Sequence, residues 1–228
     1  MSVIGLLNEK SLHADLKRLT AQPGDRFEVP VDRFVVDIVR EGLLLEIQTA
    51  SFGAMRAKLR HLLKSYQVRL IWPLALEKWI VTLPAGRSGE SSRRKSPKRG
   101  RVEHAFIELV SIPDLISHPN FSFEIVMTRE EELRKPVRTR SWRSKGWRRE
   151  ERQLVEIVER RLFETADDWR NLAPKSMSGD FTTLDLATEM GAERYLAQKM
   201  AYCFAKSGLI EQIGKQGRSW LYRWADCA

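Results

Sequence analysis

The chain has 228 residues, 43% hydrophobic and 30% charged, with a formal net charge of +9 and a sequence pI near 9.8. That length supports one large domain or two modest ones with real cores. Cys203 and Cys227 lack ligand spacing, so neither a disulfide framework nor a zinc site is suggested, and no apolar run approaches the roughly 20 residues of a membrane-spanning helix.

The opening "MSVIGLL" lacks the charged flank and length of a signal peptide, so a soluble cytoplasmic protein without membrane contact is expected. A first helix is predicted from Leu6 to Leu19, with Leu6, Leu12, Leu16 and Leu19 as its apolar stripe and Glu9 on that stripe. "Pro-Gly-Asp" at 23–25 ends it, and strands follow near 27–31, 33–39 and 43–48. In "FVVDIVREGLLLEIQT", residues 34–49, a turn centred on Glu41 and Gly42 sets Ile38 opposite Leu45 and Asp37 opposite Glu46. Opposed carboxylates on neighbouring strands are destabilising unless something positive sits between them. A metal ion would serve, and so would Arg33 or Arg40. Gln48 shares the face of Glu46 by alternation.

After Gly53 a helix is predicted, with Met55, Leu59, Leu62, Leu63 and Tyr66 on one face and Arg56, Arg60 and Lys64 on the other. Lys58 lies at the edge of the apolar face, from which it could snorkel towards the strand ends. Strands at 68–73 and 78–83, a helix from Glu103 to Ser117 broken by Pro113, and a strand at 121–128 complete an α/β layered domain.

Charge is concentrated in two blocks. Residues 87–101 hold seven Lys or Arg against one acid, and residues 134–149 hold eight against none. Such blocks are either solvated linkers or phosphate-binding arms, and the pattern favours nucleic acid. Arg93, Arg94, Lys95, Lys98 and Arg99 are the candidate contacts in the first block. In the second, Trp142 and Trp147 would stack on bases or pack on a helix predicted at 150–163. The expected division is a first domain over 1–133 carrying the basic loop, a basic linker over 134–149, and a second domain over 150–228.

Within 181–224, Thr182 or Thr183 can cap a helix ending at Met190 and Gly191, a longer helix runs from Ala192 to Ser207, and strands at 209–213 and 219–224 flank "GKQGR". This order resembles a winged helix-turn-helix. The resemblance implies that Glu193, Arg194, Tyr195, Gln198 and Lys199 lie on the exposed start of a recognition helix, with Lys215 and Arg218 on the wing. A small helical domain for protein contacts has the same order.

The first domain resembles the PD-(D/E)XK, or restriction-endonuclease-like, nuclease superfamily over about residues 6–73, with an extension to 128 compatible with the same pattern. Glu9 stands where that family has a helix acid, Asp37 where it has the hairpin acid, and Glu46-Ile47-Gln48 where it has Glu-x-Lys. Val36 replaces a frequent Pro, and Gln48 replaces the usual Lys. The resemblance implies an α/β fold with a mixed sheet flanked by helices, joined here to a C-terminal winged helix. It further implies hydrolysis of DNA phosphodiesters with Mg²⁺ or Mn²⁺, held by Asp37, Glu46 and the backbone carbonyl of Ile47. A lysine at 48 would orient the water and stabilise developing charge. Gln48 does only the first, which makes Lys58 the candidate cation. Glu9, in a first helical turn, is also where any acid is favoured. The alternatives are an inactive nuclease-fold regulator bound to DNA and a winged-helix adaptor for proteins. A homodimer is compatible with either. His13, His61, His104 and His118 show no ligand spacing and receive no role.

Overall fold

Leu12 and Leu16, one helical turn apart, are buried on the inner face of α1 (Ser11–Thr20). The computed structural model describes residues 11–84, 90–137, 146–174 and 176–225. Leu19, on the predicted stripe, is exposed. A meander of β1 (Arg26–Val31), β2 (Phe34–Arg40) and β3 (Leu43–Ile47) follows, antiparallel throughout. The chain then crosses over through α2 (Arg56–Leu62) to β4 (Gln67–Thr82), which is parallel to β3. β5 (Ser92–Lys95) folds back onto the outer half of β4. α3 (Phe106–Leu109) leads to β6 (Phe121–Pro136), parallel to β4, and β7 (Trp147–Phe163) returns antiparallel to β6. The sheet order is β1-β2-β3-β4-β6-β7, with β5 attached to β4.

α1 covers one face of this sheet through Ile38, Leu45, Ile47, Ile71 and Val126. The larger core lies on the other face and includes Leu59 and Leu62 of α2 and Phe106 and Leu109 of α3. Among the described residues no helix is long and apolar enough to cross a membrane.

Three sequence expectations are corrected here. The strands predicted at 68–73 and 78–83 are one strand, β4, with a bulge between Ala75 and Glu77. The helix predicted at 150–163 is the edge strand β7. The described ends of the predicted linker belong to the same hairpin: Arg134 pairs with Arg149, Lys135 with Arg148 and Pro136 with Trp147. Pairing with β6 satisfies a long row of backbone groups that a helix would leave open on the sheet edge. The Arg134 guanidinium lies 3.5 Å from the centroid of Trp147, so that ring packs on the hairpin instead of on a helix. Trp142 lies outside the described residues.

The C-terminal unit contains α4 (Ala166–Arg170), β8 (Phe181–Thr182), α5 (Thr183–Glu189), α6 (Arg194–Lys206), β9 (Ile210–Gln216) and β10 (Ser219–Trp224). Thr182 caps α5 by accepting from the N–H groups of Leu184 and Asp185, while Asp185 accepts from the Thr182 N–H. Gly191, at φ +55°, turns the chain into α6. β8, β10 and β9 form a small second sheet. Its apolar residues belong to the same buried cluster as those of the large sheet, so one core runs through both units.

Buried acids stitch the outer strands together. Glu130 of β6 is fully buried and bound by Arg152 of β7 through two contacts of 2.8 Å, with Thr128 Oγ1 donating at 2.7 Å. Removing one member of a buried pair strands the other charge and typically costs about 3–5 kcal/mol. Glu130→Ala is therefore expected to lower the unfolding free energy in urea by about that amount. The double variant Glu130→Leu/Arg152→Met should cost clearly less than the single one. Equal losses would show that packing, and not a stranded charge, sets the penalty.

Candidate functional site

The β2–β3 turn is built by positive φ at both central residues, +46° at Glu41 and +90° at Gly42, a conformation that matches strand twist but disfavours a side chain at Glu41. It produces the predicted register: Arg40 opposite Leu43, Val39 opposite Leu44 and Ile38 opposite Leu45. The ladder then stops, and Asp37 and Glu46 are not a registered cross-strand pair as the sequence suggested. Where β2 leaves β3, the Asp37 carboxylate fills the gap. Its Oδ2 accepts the Ile47 N–H at 2.8 Å and lies 3.3 Å from His13 Nε2 of α1.

Glu46 turns to a different partner. Lys58 of α2 brings its Nζ to 2.5 Å from Glu46 Oε1 and also donates to the Val35 carbonyl at 2.5 Å. Lys58 thus spans the opening between β2 and β3. The ion-pair contact falls outside hydrogen-bond angles, so Oε1, in a side chain only 2% exposed, is a buried acceptor without a hydrogen bond.

The two acids are driven apart in acidity. Burial pushes the Glu46 carboxyl up to about 7, with Lys58 opposing the shift and Asp37 adding to it. Burial also works against Asp37, but the His13 hydrogen bond and the Ile47 N–H outweigh it and hold Asp37 below its usual range. One acid ionised and one titrating near neutrality is an arrangement suited to proton transfer.

Other expected site residues lie elsewhere. Gln48 donates its side-chain N–H to the Ser51 carbonyl at 3.2 Å and accepts from the Ala50 N–H at 3.3 Å, closing its own loop away from the acids. Arg40 is bound to Asp25 and Arg33 packs over Phe34, so the arginine bridge is replaced by Lys58 and His13. Ile47 enters the site through its N–H, with its side chain buried against α1. Glu9 lies outside the described residues, among which no group of three or more His, Cys, Asp or Glu side chains is arranged to hold a metal ion. His13 was missed because its partner comes from a strand 24 residues away, and no spacing signals that contact.

Several expected phosphate contacts are tied to acids. Arg93 pairs with Glu131 at 2.7 Å, Lys95 with Glu77 at 2.6 Å and Arg99 with Glu77 at 3.7 Å, and both Arg93 and Lys95 lie over Trp79. Arg94 and Lys98 are exposed without ion-pair partners among the described residues. On α6, Arg194 and Gln198 are exposed and Lys199 is half-buried. Lys215 lies 4.4 Å from the Trp220 ring, and Arg218 follows the hairpin turn at Gly217.

The match to known families follows this architecture. A family model described as "Domain of unknown function (DUF8091)" matches residues 10–164, more than half of the chain, ending where β7 ends. The chain belongs to the DUF8091 family. The DUF8091 region therefore contains α1, the whole large sheet and the carboxylate–lysine cluster. An "Uncharacterized protein" of Treponema pallidum (strain Nichols) is 28% identical over 221 residues, covering 96% of this chain and 87% of that protein, so the likeness extends through the C-terminal unit. No solved structure matches.

The raised pKa of Glu46 makes stability depend on pH. Unfolded, this carboxyl ionises near 4.5; folded, it keeps its proton to about 7. The folded state binds the extra proton between those values, so the Glu46 contribution is fully favourable below 4.5 and is lost as pH rises through 7. The melting temperature of Glu46→Gln minus that of the wild type should grow from pH 5 to pH 8 and level off above. A difference that stays constant across this range would mean that the Glu46 carboxyl titrates as it does in water.

Proposed function

We propose that this protein is a metal-dependent deoxyribonuclease of the restriction-endonuclease-like type, with a C-terminal winged helix that engages DNA. The observation that carries the reading is Lys58 Nζ at 2.5 Å from Glu46, beside Asp37 at the point where β2 and β3 part. Lys58 would supply from α2 the cation that Gln48, just beyond β3, does not. The order of helix, hairpin with Asp, strand with Glu and following helix supports the resemblance. The order α5, α6, β9, β10, with β8 closing the small sheet, supports the winged helix. DNA is preferred because both resembled modules are mostly DNA-associated, an argument by analogy.

The residues present fit a hard divalent cation. Mg²⁺ favours one or two carboxylates plus water, and Glu46 Oε1 is a buried carboxylate oxygen whose contact with Lys58 is poorly angled for a hydrogen bond, so an ion could take the place of that ammonium. Asp37 and Glu46 would hold the ion, which when bound supplies a Lewis acid for a phosphate oxygen and a more acidic water. Lys58 would offset negative charge developing on the phosphate. Glu46, which titrates near neutrality without a metal, would give up its proton on binding the ion, and Asp37 would be ionised already.

A second reading, a DNA-bound regulator with a silenced nuclease fold, is favoured by Gln48 closing its own loop and by Lys58 already neutralising Glu46. Cleavage of single-stranded, duplex and branched DNA with Mg²⁺ or Mn²⁺ separates the two. Asp37→Asn and Glu46→Gln should each abolish cleavage, and Lys58→Ala should slow it by about 10²–10³-fold. Either metal should raise the melting temperature of the wild type but not of Asp37→Asn. Binding without cleavage on any DNA form selects the silenced fold. Cleavage that survives loss of both acids would remove this cluster from the chemistry.

A further inference from the structure

Three concavities adjoin one another along the outer side of α6. The first, about 640 Å³, lies between β4, α3, the start of α6 and the strap at 98–100. Thr49, Ala50 and Ser51, directly after Gln48, form one wall, and Trp72, Lys98, Arg99 and Tyr195 contribute to the others. Neither Asp37 nor Glu46 lines it, but its edge begins three residues beyond Glu46. Tyr195 is shared with the second concavity, which adds Gln198, Lys199 and Tyr202. Gln198 and Tyr202 are shared in turn with the third, between α6 and β10, which holds Arg194, Lys206, Arg218 and Trp220. The shared residues set the three side by side, a candidate surface path.

We propose that single-stranded nucleic acid runs along this path, from the cleft beside β3 to the wing. The inference rests on the nucleic-acid reading above and names the form of strand that the C-terminal unit takes.

The lining chemistry fits a flexible strand. Tyr195, Tyr202 and Trp220 are 44%, 45% and 45% exposed, although such rings are normally the first candidates for burial. Tyr195 and Tyr202 are seven residues apart, two helical turns, and so share one face. Among the described residues, eight Lys or Arg line the three concavities against two carboxylates, Glu108 and Glu193. Lys78 and Arg152 among them are held by Glu132 and Glu130, leaving Lys98, Arg194, Lys199, Lys206, Arg218 and the loosely paired Arg99 for a ligand. Aromatic platforms interleaved with cations bind bases by stacking and backbone by charge, without regard to sequence. The 13 residues of α6 extend about 20 Å, room for several nucleotides.

The strap also argues against a duplex on α6. Its fit at Gly100 is tight: a Cβ there would meet the Ala75 carbonyl oxygen at 2.4 Å, so the strap lies directly on β4. Arg101 then ties it to the α5–α6 turn, donating to the carbonyls of Gly191 and Met190 at 2.7 Å each. Lys98 and Arg99 are thereby held beside the first turn of α6. A recognition helix enters a major groove about 12 Å wide with that same turn foremost. A duplex on α6 would have to clear this strap, whereas a single strand needs only the cleft between strap and helix.

The test uses the full chain and fluorescence anisotropy with oligothymidylate and oligouridylate of about 12 nucleotides, and a duplex of equal length. The single strands should bind more tightly than the duplex, and the comparison between them separates DNA from RNA. Tyr195→Ala and Trp220→Ala should each weaken single-strand binding by on the order of 10-fold, while Tyr195→Phe, which keeps the stacking face, should bind like the wild type. Lys98→Ala/Arg99→Ala should reduce the slope of log affinity against log salt by about 0.7 for each phosphate no longer neutralised. Duplex binding as tight as single-strand binding, or affinity indifferent to Tyr195 and Trp220 in folded variants, overturns the inference. Cleavage dependent on Asp37 and Glu46 would survive that result. Single-strand binding without cleavage keeps the path and removes the nuclease.

Discussion

Trp169 is the residue on which the arrangement of the two units depends. It is 1% exposed and stacks on Phe163 of β7 at 4.6 Å and on Phe123 of β6 at 5.9 Å, with Phe106 of α3 edge-on at 6.1 Å. Phe106 meets Phe204 of α6 at 5.2 Å, so the aromatic contacts pass from the large sheet into the C-terminal unit without a break. Each such pair contributes about 0.5–1.5 kcal/mol beyond burial, and their geometry fixes direction as well as distance. α6 is consequently not a module swinging on a tether. Its exposed face keeps one orientation towards the cleft at the end of β3, reinforced by Ser117 donating to the Ser207 carbonyl at 2.7 Å.

How much of this was legible in the sequence depended on whether the governing contacts were local. The β2–β3 register was readable because the turn and the strand period of two are properties of a dozen adjacent residues. The α5–α6 segment was readable because Thr182, Asp185 and Gly191 are local punctuation. β7 imitates a helix in its apolar spacing. Leu154 and Ile157 both pack on the α1 side, and a spacing of three normally signals a helix. In β7 a bulge skips Val155 between the partners of Arg129 and Glu130, which returns residues 154 and 157 to one face of a strand. The opening of β2 from β3 and the arrival of His13 and Lys58 from opposite faces are tertiary events with no local cue.

Charge followed the same rule. The block at 87–101 reads as free cation in one dimension because its partners are far along the chain. Glu77 and Glu131 neutralise Arg93 and Lys95 only once β4, β5 and β6 lie side by side. Glu132, 4% exposed, is paired with Lys78 and Arg134 and titrates below its usual range; burial works against that shift, and the two cations outweigh it. The sheet thus consumes much of the basic charge as ladder cross-links. Among the described residues, Lys98 at the strap and Arg194 and Lys206 on α6 stay exposed without an acid partner, a placement the sequence total of +9 does not reveal.

The Glu46–Lys58 pair resists the same explanation. The ladder cross-links join neighbouring strands, and their acids accept well-formed hydrogen bonds. Glu46 instead sits 2% exposed with one oxygen unsatisfied and its ionisation opposed by burial. A buried ion pair seldom stabilises a fold more than apolar residues of equal volume would, and an imperfectly bonded one does worse. Lys58 is drawn across the gap by the Val35 carbonyl as well as by Glu46, so the strand opening and the ammonium are fitted to each other. A site that keeps a strained acid beside a relaxed one, with a cation aimed between two parting strands, departs from the local consistency of the surrounding sheet. Such departures concentrate where chemistry or binding is performed, which is why the proposed function is anchored here and not in the better satisfied pairs nearby.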